Sequence, residues 1–429
     1  MVKEALFKDC LNTCLGKCEF INDEYIAEIK LEENIKKDLI YLITTSVGID
    51  ISNSVGISWH CNEQRSQLVY WKEGSNELIK AMPHEEYWSI EESYISDDYD
   101  TKRYVCSVNL TNLDANTKYY YRIIFGNVAS NILTFKTATS KKYSFLSFAD
   151  FQYSKNSKTL DLVKTFKDKN PLANLITCSG DIADEGYSEK AHRHLFDDTV
   201  FSSSILAFGV GDHEYWGTNR SPVKMFSRPH SFNKLFNNPK NGCEDYLNSS
   251  YYFKYNTTLF VFLDCGDSNV CYNNVMFNKQ AAWLDNLLIN ENDYDFIIVC
   301  MHKSLYGDPE QDGAVRKFAS TFTKIFDKHK VDLVISGHDH EYSRTKSMVD
   351  SNVKENGTIY LDLGSSGSKT RTTGEIIKTS NLYDKYIDIK EKDYSLGIVG
   401  TVENNKLIIE VRNQDYLVVD SLTILRKKR

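Results

Sequence analysis

Five short segments carry the side chains best suited to chemistry: Ala149-Asp150-Phe151-Gln152, Gly180-Asp181-Ile182-Ala183-Asp184-Glu185-Gly186, Gly211-Asp212-His213-Glu214, His302 at the end of Ile298-Val299-Cys300-Met301, and Gly337-His338-Asp339-His340. Three carboxylates (Asp150, Asp181, Asp212) and three imidazoles (His302, His338, His340) can surround two divalent ions. Carboxylates suit hard metals and can bridge two centres, while imidazole suits iron, zinc and manganese. His338 and His340 lie two apart, so in an extended segment they project to one side and can address adjacent metals. Two such cations lower the pKa of a bound water and stabilise both oxygens of an in-line displacement. Each fragment alone is a weak signal, because a strand-end Asp is more often a cap or turn residue. The ordered set of five is what carries the reading.

Elements must deliver these groups. Each segment follows an apolar run: Ser144 to Phe148, Leu172 to Cys178, Ile205 to Val210, Phe296 to Met301 and Val331 to Ser336. A sixth run is Leu259 to Leu263. Short continuous apolar runs suit strands buried on both faces. Sites in layered α/β proteins sit at the carboxyl ends of such strands. Val315, Phe318, Phe322, Ile325 and Phe326 recur at helical spacing and predict a helix whose apolar face is core. Glycines before the acids permit close approach of the backbone. Tyr215 and Trp216 follow the third segment and either wall the site or pack. His192, His194 and His230 lie between the segments and read as structural or exposed.

Before residue 138 the pattern differs. Val55 to Cys61 and Leu68 to Trp71 are short, β-branched and aromatic runs bounded by turn formers. In the stretch from Val108 to Arg122, Asp114-Ala115-Asn116 is turn chemistry between two strands. Regular short strands over roughly 100 residues predict a β-sandwich. The expected layout is a tail at 1–20, a sandwich at 21–140 and a catalytic α/β domain at 141–429.

Composition limits the options. The 429 residues exceed one ordinary domain. The charge sum of 51 − 59 = −8 gives no general pull toward nucleic acid or anionic membrane. The run Arg426 to Arg429 reads as a solvated end. No stretch approaches the ~20 apolar residues of a membrane span. Glu4, Lys8 and Asp9 interrupt the opening residues, which do not read as a signal peptide; this leans toward the cytoplasm without fixing the compartment. Cys10, Cys14 and Cys18 recur every four residues, but no fourth ligand follows at zinc-finger spacing.

The five segments resemble the blocks of calcineurin-like metallophosphoesterases, and the chain is more closely similar to purple acid phosphatases. Leu110 to Arg122 is similar to that family's last sandwich hairpin, Met301 to Tyr306 and His338 to Arg344 to its later blocks, and Val418 to Ile424 to its closing strand. The resemblance covers about residues 38 to 429. It implies a four-layer αββα catalytic sandwich behind a fibronectin type III-like domain. It also implies two divalent or mixed-valence ions (iron, zinc or manganese). Asp150, Gln152, Asp181 and His340 would hold one and Asp212, His302 and His338 the other, with Asp181 bridging. The implied activity is hydrolysis of phosphate esters by a metal-bound hydroxide, on a small phosphorylated substrate, with His213 as general acid or phosphate-orienting group. Asp184, Tyr187, Asp339 and Arg344 are candidates for supporting or substrate contacts.

The sequence departs from the family at four places. Asp184 stands where purple enzymes carry a tyrosine, with Tyr187 displaced by three; Gln152 closes the first block; Asp212 replaces an asparagine; and residues 303–316 contain no histidine for the phosphate. A phosphodiesterase or nucleotide pyrophosphohydrolase, and a non-catalytic metal- or phosphate-binding protein, are the alternatives. Oligomeric state is not legible.

Overall fold

The computed structural model describes residues 39–89, 102–139, 142–154, 158–216, 229–265, 274–291, 293–307 and 313–428. The expected tail and its three spaced cysteines lie outside them. Two large sheets dominate. One has ten strands and contains, side by side and parallel, Tyr143–Phe148, Leu175–Cys178 and Ile205–Phe208. The other has seven strands, with Thr258–Leu263, Phe296–Lys303, Leu333–Gly337 and Ile359–Asp362 parallel at its centre. The apolar runs form these central strands, and Leu172 to Asn174 precede theirs.

Alternation along each strand explains the layers, since successive side chains point to opposite faces. Phe145, Leu175, Ile205 and Ala207 turn inward and meet Phe260, Phe262, Ile298, Leu333 and Ile335 of the second sheet. Their neighbours Leu146, Phe148, Ile176, Leu206 and Phe208 turn outward against helices at Thr159–Lys169 and Glu189–Phe196. Leu259, Val261, Ile297 and Val299 do the same for the second sheet, against helices at Asn274–Asn290 and Gly313–His329. Phe318, Phe322 and Phe326 line the buried face of the last helix, as its spacing predicts. The result is helix, sheet, sheet, helix.

The N-terminal sandwich is joined to this body through backbone. Its first strand, Ile40–Val47, pairs antiparallel with Val55–Cys61 and parallel with Ile205–Phe208, at Ser46 and Leu206. Half of the sandwich therefore belongs to the ten-stranded sheet. A buried ion cluster reinforces the seam. The Glu189 carboxylate accepts from Arg103 Nη1 at 2.7 Å and from Arg193 Nε at 2.8 Å. The Arg193 guanidinium lies over the Tyr41 ring at 3.8 Å.

The hairpin expected at Leu110 to Arg122 is not one. Lys102–Leu110 lies in the ten-stranded sheet and Lys118–Phe125 in a separate five-stranded sheet, so the connection crosses the sandwich. Leu113 is buried beneath the crossing, and the Asp114 N–H donates to Tyr119 Oη at 2.9 Å, a tyrosine corner. The basic end is also more fixed than expected. Lys427 Nζ donates to the carbonyls of Val331 and Gly357 at 2.9 and 2.8 Å and lies 3.3 Å from Asp332. No helix among the described residues is long and apolar enough to cross a membrane.

Candidate metal centre

All five segments converge at the carboxyl ends of the parallel strands of both sheets. The ten-stranded sheet delivers the carboxylates and His213, and the seven-stranded sheet delivers His302, His338 and His340. Local backbone geometry is unusual throughout. Asp150, Gln152, Asp181, His338 and His340 have φ of 51°, 36°, 56°, 77° and 56°. Left-handed backbone at non-glycine residues is uncommon and persists where surroundings over-determine it. Here they do. The His338 N–H donates to both Asp150 carboxylate oxygens at 3.1 and 3.0 Å, and the His213 N–H to Asp181 Oδ1 at 3.0 Å. The glycines act as expected: a Cβ on Gly337 would stand 1.8 Å from Asp150 Oδ2, and one on Gly211 would stand 2.1 Å from Asp181 Oδ1. The strand pairing of Phe296–Lys303 shifts register between Cys300 and Lys303, at His302, the kind of irregularity that re-aims a side chain.

Three overlapping triads have donor atoms within 4.8 Å of one another: Asp212, His302 and His338; Asp150, Asp181 and His302; and Asp181, Asp212 and His213. His302 Nε2 lies 3.1 Å from Asp212 Oδ1 and 3.3 Å from Asp181 Oδ1. His338 Nδ1 lies 3.0 Å from the same Asp212 oxygen and 3.2 Å from His302 Nε2. His340 joins through Asp150, at 3.3 Å. Gln152 donates from Nε2 to Asp181 Oδ2 at 3.0 Å, while its Oε1 is buried with no partner.

This donor set fits divalent metal ions. Asp150 and Asp181 are buried, and among the described residues no Lys or Arg pairs with them or with Asp212. A buried carboxylate stays ionised only where cations or hydrogen-bond donors compensate it. Two imidazole nitrogens face one another at 3.2 Å, and the buried Gln152 Oε1 has no hydrogen-bond partner; all three are lone-pair atoms that a cation could take up. The electrostatics agree. Burial would raise the Asp181 carboxyl, but the His213 and His302 charges hold it below its ordinary range. Burial would raise Asp212 as well, and hydrogen bonds from His302 and His338 hold it well below. Burial disfavours charge on His302, yet Asp181 and Asp150 push its pKa well above the usual value. The same negative potential favours a metal cation, which displaces that proton.

His213 is held at three points. Its Nδ1 lies 2.6 Å from the Asp184 carbonyl, and that contact places the N–H there. Nε2 faces the Gln152 amide at 3.1 Å and Asp181 Oδ2 at 3.6 Å. Trp216 tilts against the ring, 4.5 Å between centroids. Tyr215 is core; its hydroxyl donates to Asp264 at 2.8 Å.

Glu214 is the residue whose role the sequence did not disclose, although it stands inside the third segment. Its buried carboxylate accepts from the N–H groups of Gly211, Asp181 and Ile182 at 2.7, 2.9 and 2.8 Å, clamping two ligand-bearing turns together. Burial, with the charge of Asp181, pushes its pKa up to about 7. The supporting candidates divide. Asp184 reaches the site through its carbonyl, and its carboxylate pairs with Lys369. Asp339 is buried beneath the Gly307 turn. Tyr187 is buried. Arg344 is not brought to the cluster: it is buried against Asp420, at 2.7 and 3.2 Å, and against Asp384 at 2.6 Å, and Tyr342 Oη of the same strand also donates to Asp420. His192 is buried, and the exposed His194 meets Tyr153 Oη.

Comparison with known proteins places this geometry. Residues 42–137 match the purple acid phosphatase N-terminal domain and residues 143–342 match the calcineurin-like phosphoesterase domain. An uncharacterized protein of Mycobacterium tuberculosis is 23% identical over 375 residues; the match covers 79% of this chain, which spans 65% of that relative's length. Purple acid phosphatase 1 of Ipomoea batatas is 22% identical over 410 residues, covering 86% of this chain and 80% of that protein. The structure of purple acid phosphatase PPD1 from yellow lupin seeds shares the fold, with a TM-score of 0.74 at 16% identity over 90% of this chain and 74% of that one. With both domain families matched in order and this fold in common, the chain combines a domain similar to the purple acid phosphatase N-terminal domain with one similar to calcineurin-like phosphoesterases.

Proposed function

We propose that this chain is an acid phosphatase-like phosphomonoesterase with a binuclear centre held by Asp150, Gln152, Asp181, Asp212, His302, His338 and His340. The observation that carries the reading is the uncompensated cluster of three carboxylates facing imidazole nitrogens and the orphaned Gln152 Oε1. Two bound cations would supply a hydroxide near neutral pH and neutralise the developing charge on the phosphoryl oxygens. Iron, zinc and manganese all suit the mixed carboxylate and imidazole donors.

The chain's own groups do the rest. Asp181, like Asp212 and His302, belongs to two of the donor triads, and in this reading it is the bridging residue. Glu214 holds the Asp181 and Asp212 turns at fixed separation through three backbone N–H groups. With its Nδ1–H donated to the Asp184 carbonyl, His213 in its doubly protonated form would present Nε2–H to the leaving oxygen and return to the neutral ring on giving up that proton. Trp216 limits the ring's freedom. A cavity of about 670 Å³ opens beside Asp184, lined in part by Tyr153, Ser154, Lys190 and His194.

The test is turnover of para-nitrophenyl phosphate and bis-para-nitrophenyl phosphate from pH 5 to 9 with added manganese, zinc or iron, beside Asp181→Asn and His213→Ala. Metal-dependent monoester cleavage, lost by about 10²-fold or more in each variant, is expected. Preference for the diester would reassign the substrate class. No turnover of either ester, nor of nucleotide diphosphates, by metal-loaded protein would leave a binding protein.

A further inference from the structure

Residues 303–316 contain no histidine, and Arg344 is committed to Asp420 and Asp384. An anionic substrate then needs another cation. One segment beside the centre supplies it. After the strand Ile359–Asp362, residues 364–374 run along the ligand-bearing turns and are stitched to them at both ends. Ser366 exchanges hydrogen bonds with the Ala149 backbone, its N–H donating at 2.8 Å and its Oγ accepting at 3.1 Å. Ser365 Oγ donates to the Asp150 carbonyl at 3.3 Å. Gly367 lies so close that a Cβ there would stand 2.3 Å from the Phe151 carbonyl oxygen. Further along, the Arg371 N–H donates to the His340 carbonyl at 2.7 Å. Between these anchors Lys369 reaches Asp184, whose Oδ1 stands 3.9 Å from His213 Nδ1.

We propose that Lys369 is the substrate-anion binding residue of this centre, parked on Asp184 and transferred to the phosphate oxygens when substrate or product phosphate arrives. The proposal rests on the phosphoesterase reading. Three physical points support it. The Lys369–Asp184 pair is partly exposed on both sides, at 39% and 35%, so it is weak and readily exchanged. A phosphate dianion outcompetes a single carboxylate for an ammonium group because it offers more charge and more acceptor oxygens. The backbone that carries Lys369 is pinned to Asp150 and His340, so the ammonium is registered against the donors rather than floating on a free loop. Asp184, at the position where the purple enzymes carry a tyrosine, gains a role: it holds the cation at the rim beside His213.

The experiment measures inorganic phosphate binding by calorimetry on manganese-loaded full-length protein, together with KM and kcat for para-nitrophenyl phosphate and metal content. Lys369→Met is expected to weaken phosphate binding about tenfold or more and to raise KM, with bound manganese unchanged; Lys369→Arg restores most of the affinity. Asp184→Ala is expected to leave phosphate affinity equal or tighter, because the ammonium is released. If Lys369 were only a tie for the loop, Lys369→Met and Asp184→Ala would weaken phosphate binding alike, and that result would overturn the proposal. Unchanged affinity in Lys369→Met would overturn it too. Because phosphate binding is read apart from turnover, an inactive protein that still shows the Lys369 effect sinks the catalytic reading alone.

Discussion

Two buried polar clusters in this molecule solve the same problem in opposite ways. At the seam, Glu189 is met by two guanidiniums, with the buried His60 nearby. At the strand ends, Asp150, Asp181 and Asp212 are met by imidazoles, an amide and backbone N–H groups, and the acids outnumber the fixed cations. The first carboxylate finds its cations within the chain. The second cluster is of a kind that could hold added cations. Burial alone would have marked both as important; the balance of charge separates a structural cluster from a binding one.

The comparison can be broken most forcefully at the seam. Glu189→Ala leaves Arg103 and Arg193 buried without their carboxylate, and breaking such a pair costs about 3–5 kcal/mol. Thermal melting should fall sharply, by the same amount whether the protein is metal-loaded or chelated. A loss confined to one of the two forms would show that the clusters are not independent.

Acidification sharpens the contrast, because the clusters carry opposite signs. Burial, with Arg103 next, holds the His60 pKa down to about 4, and burial holds His192 at about 4. Between pH about 6.5 and 4 the unfolded imidazoles take protons that the folded ones refuse, so stability falls as pH drops, by up to about 3 kcal/mol for each. Glu189 adds to the loss: burial works against its charge, but Arg103 and His60 hold its pKa below the ordinary carboxylate value, and that stabilisation fades as pH falls further. His302, with its raised pKa, does the reverse in metal-free protein, contributing stability at low pH that fades as pH rises. Glu214, with its pKa pushed up to about 7, opposes the loss in the same window, so the informative quantity is the difference between curves: from pH 7.5 to 4.5, His60→Gln should lose less stability than the parent protein.

The smallest effect is the most specific. At metal concentrations about a hundred times the dissociation constant, binding should stabilise the fold by about 2–3 kcal/mol. Melting with and without chelator reads this directly. The increment should vanish in Asp181→Asn and persist in Glu189→Ala. Its persistence in Asp181→Asn would place the cations elsewhere.

Much of this arrangement is written locally. Ser144 to Phe148 or Ile205 to Phe208 must be buried strand whatever surrounds them, and Gly211-Asp212 or Gly337-His338 after such a run is a ligand turn, because small residues and short polar chains tolerate the backbone that the turn demands. The helix at Gly313–His329 follows from its spacing of Phe318, Phe322 and Phe326 for the same reason. What sequence could not reach are partnerships. Periodicity says which face a residue occupies, never which distant residue faces it. Only the folded chain brings Lys369 to Asp184, turns Arg344 away to Asp420, closes Glu214 on the Asp181 turn and sets the sandwich's first strand beside Ile205–Phe208. The Leu110 to Arg122 crossing makes the same point: its turn chemistry is local, but whether two strands share a sheet depends on where each finds its hydrogen-bond partners. Residue types and their order determined the donors and the strands that end in them; the packing of two sheets face to face decided which charges are left uncompensated.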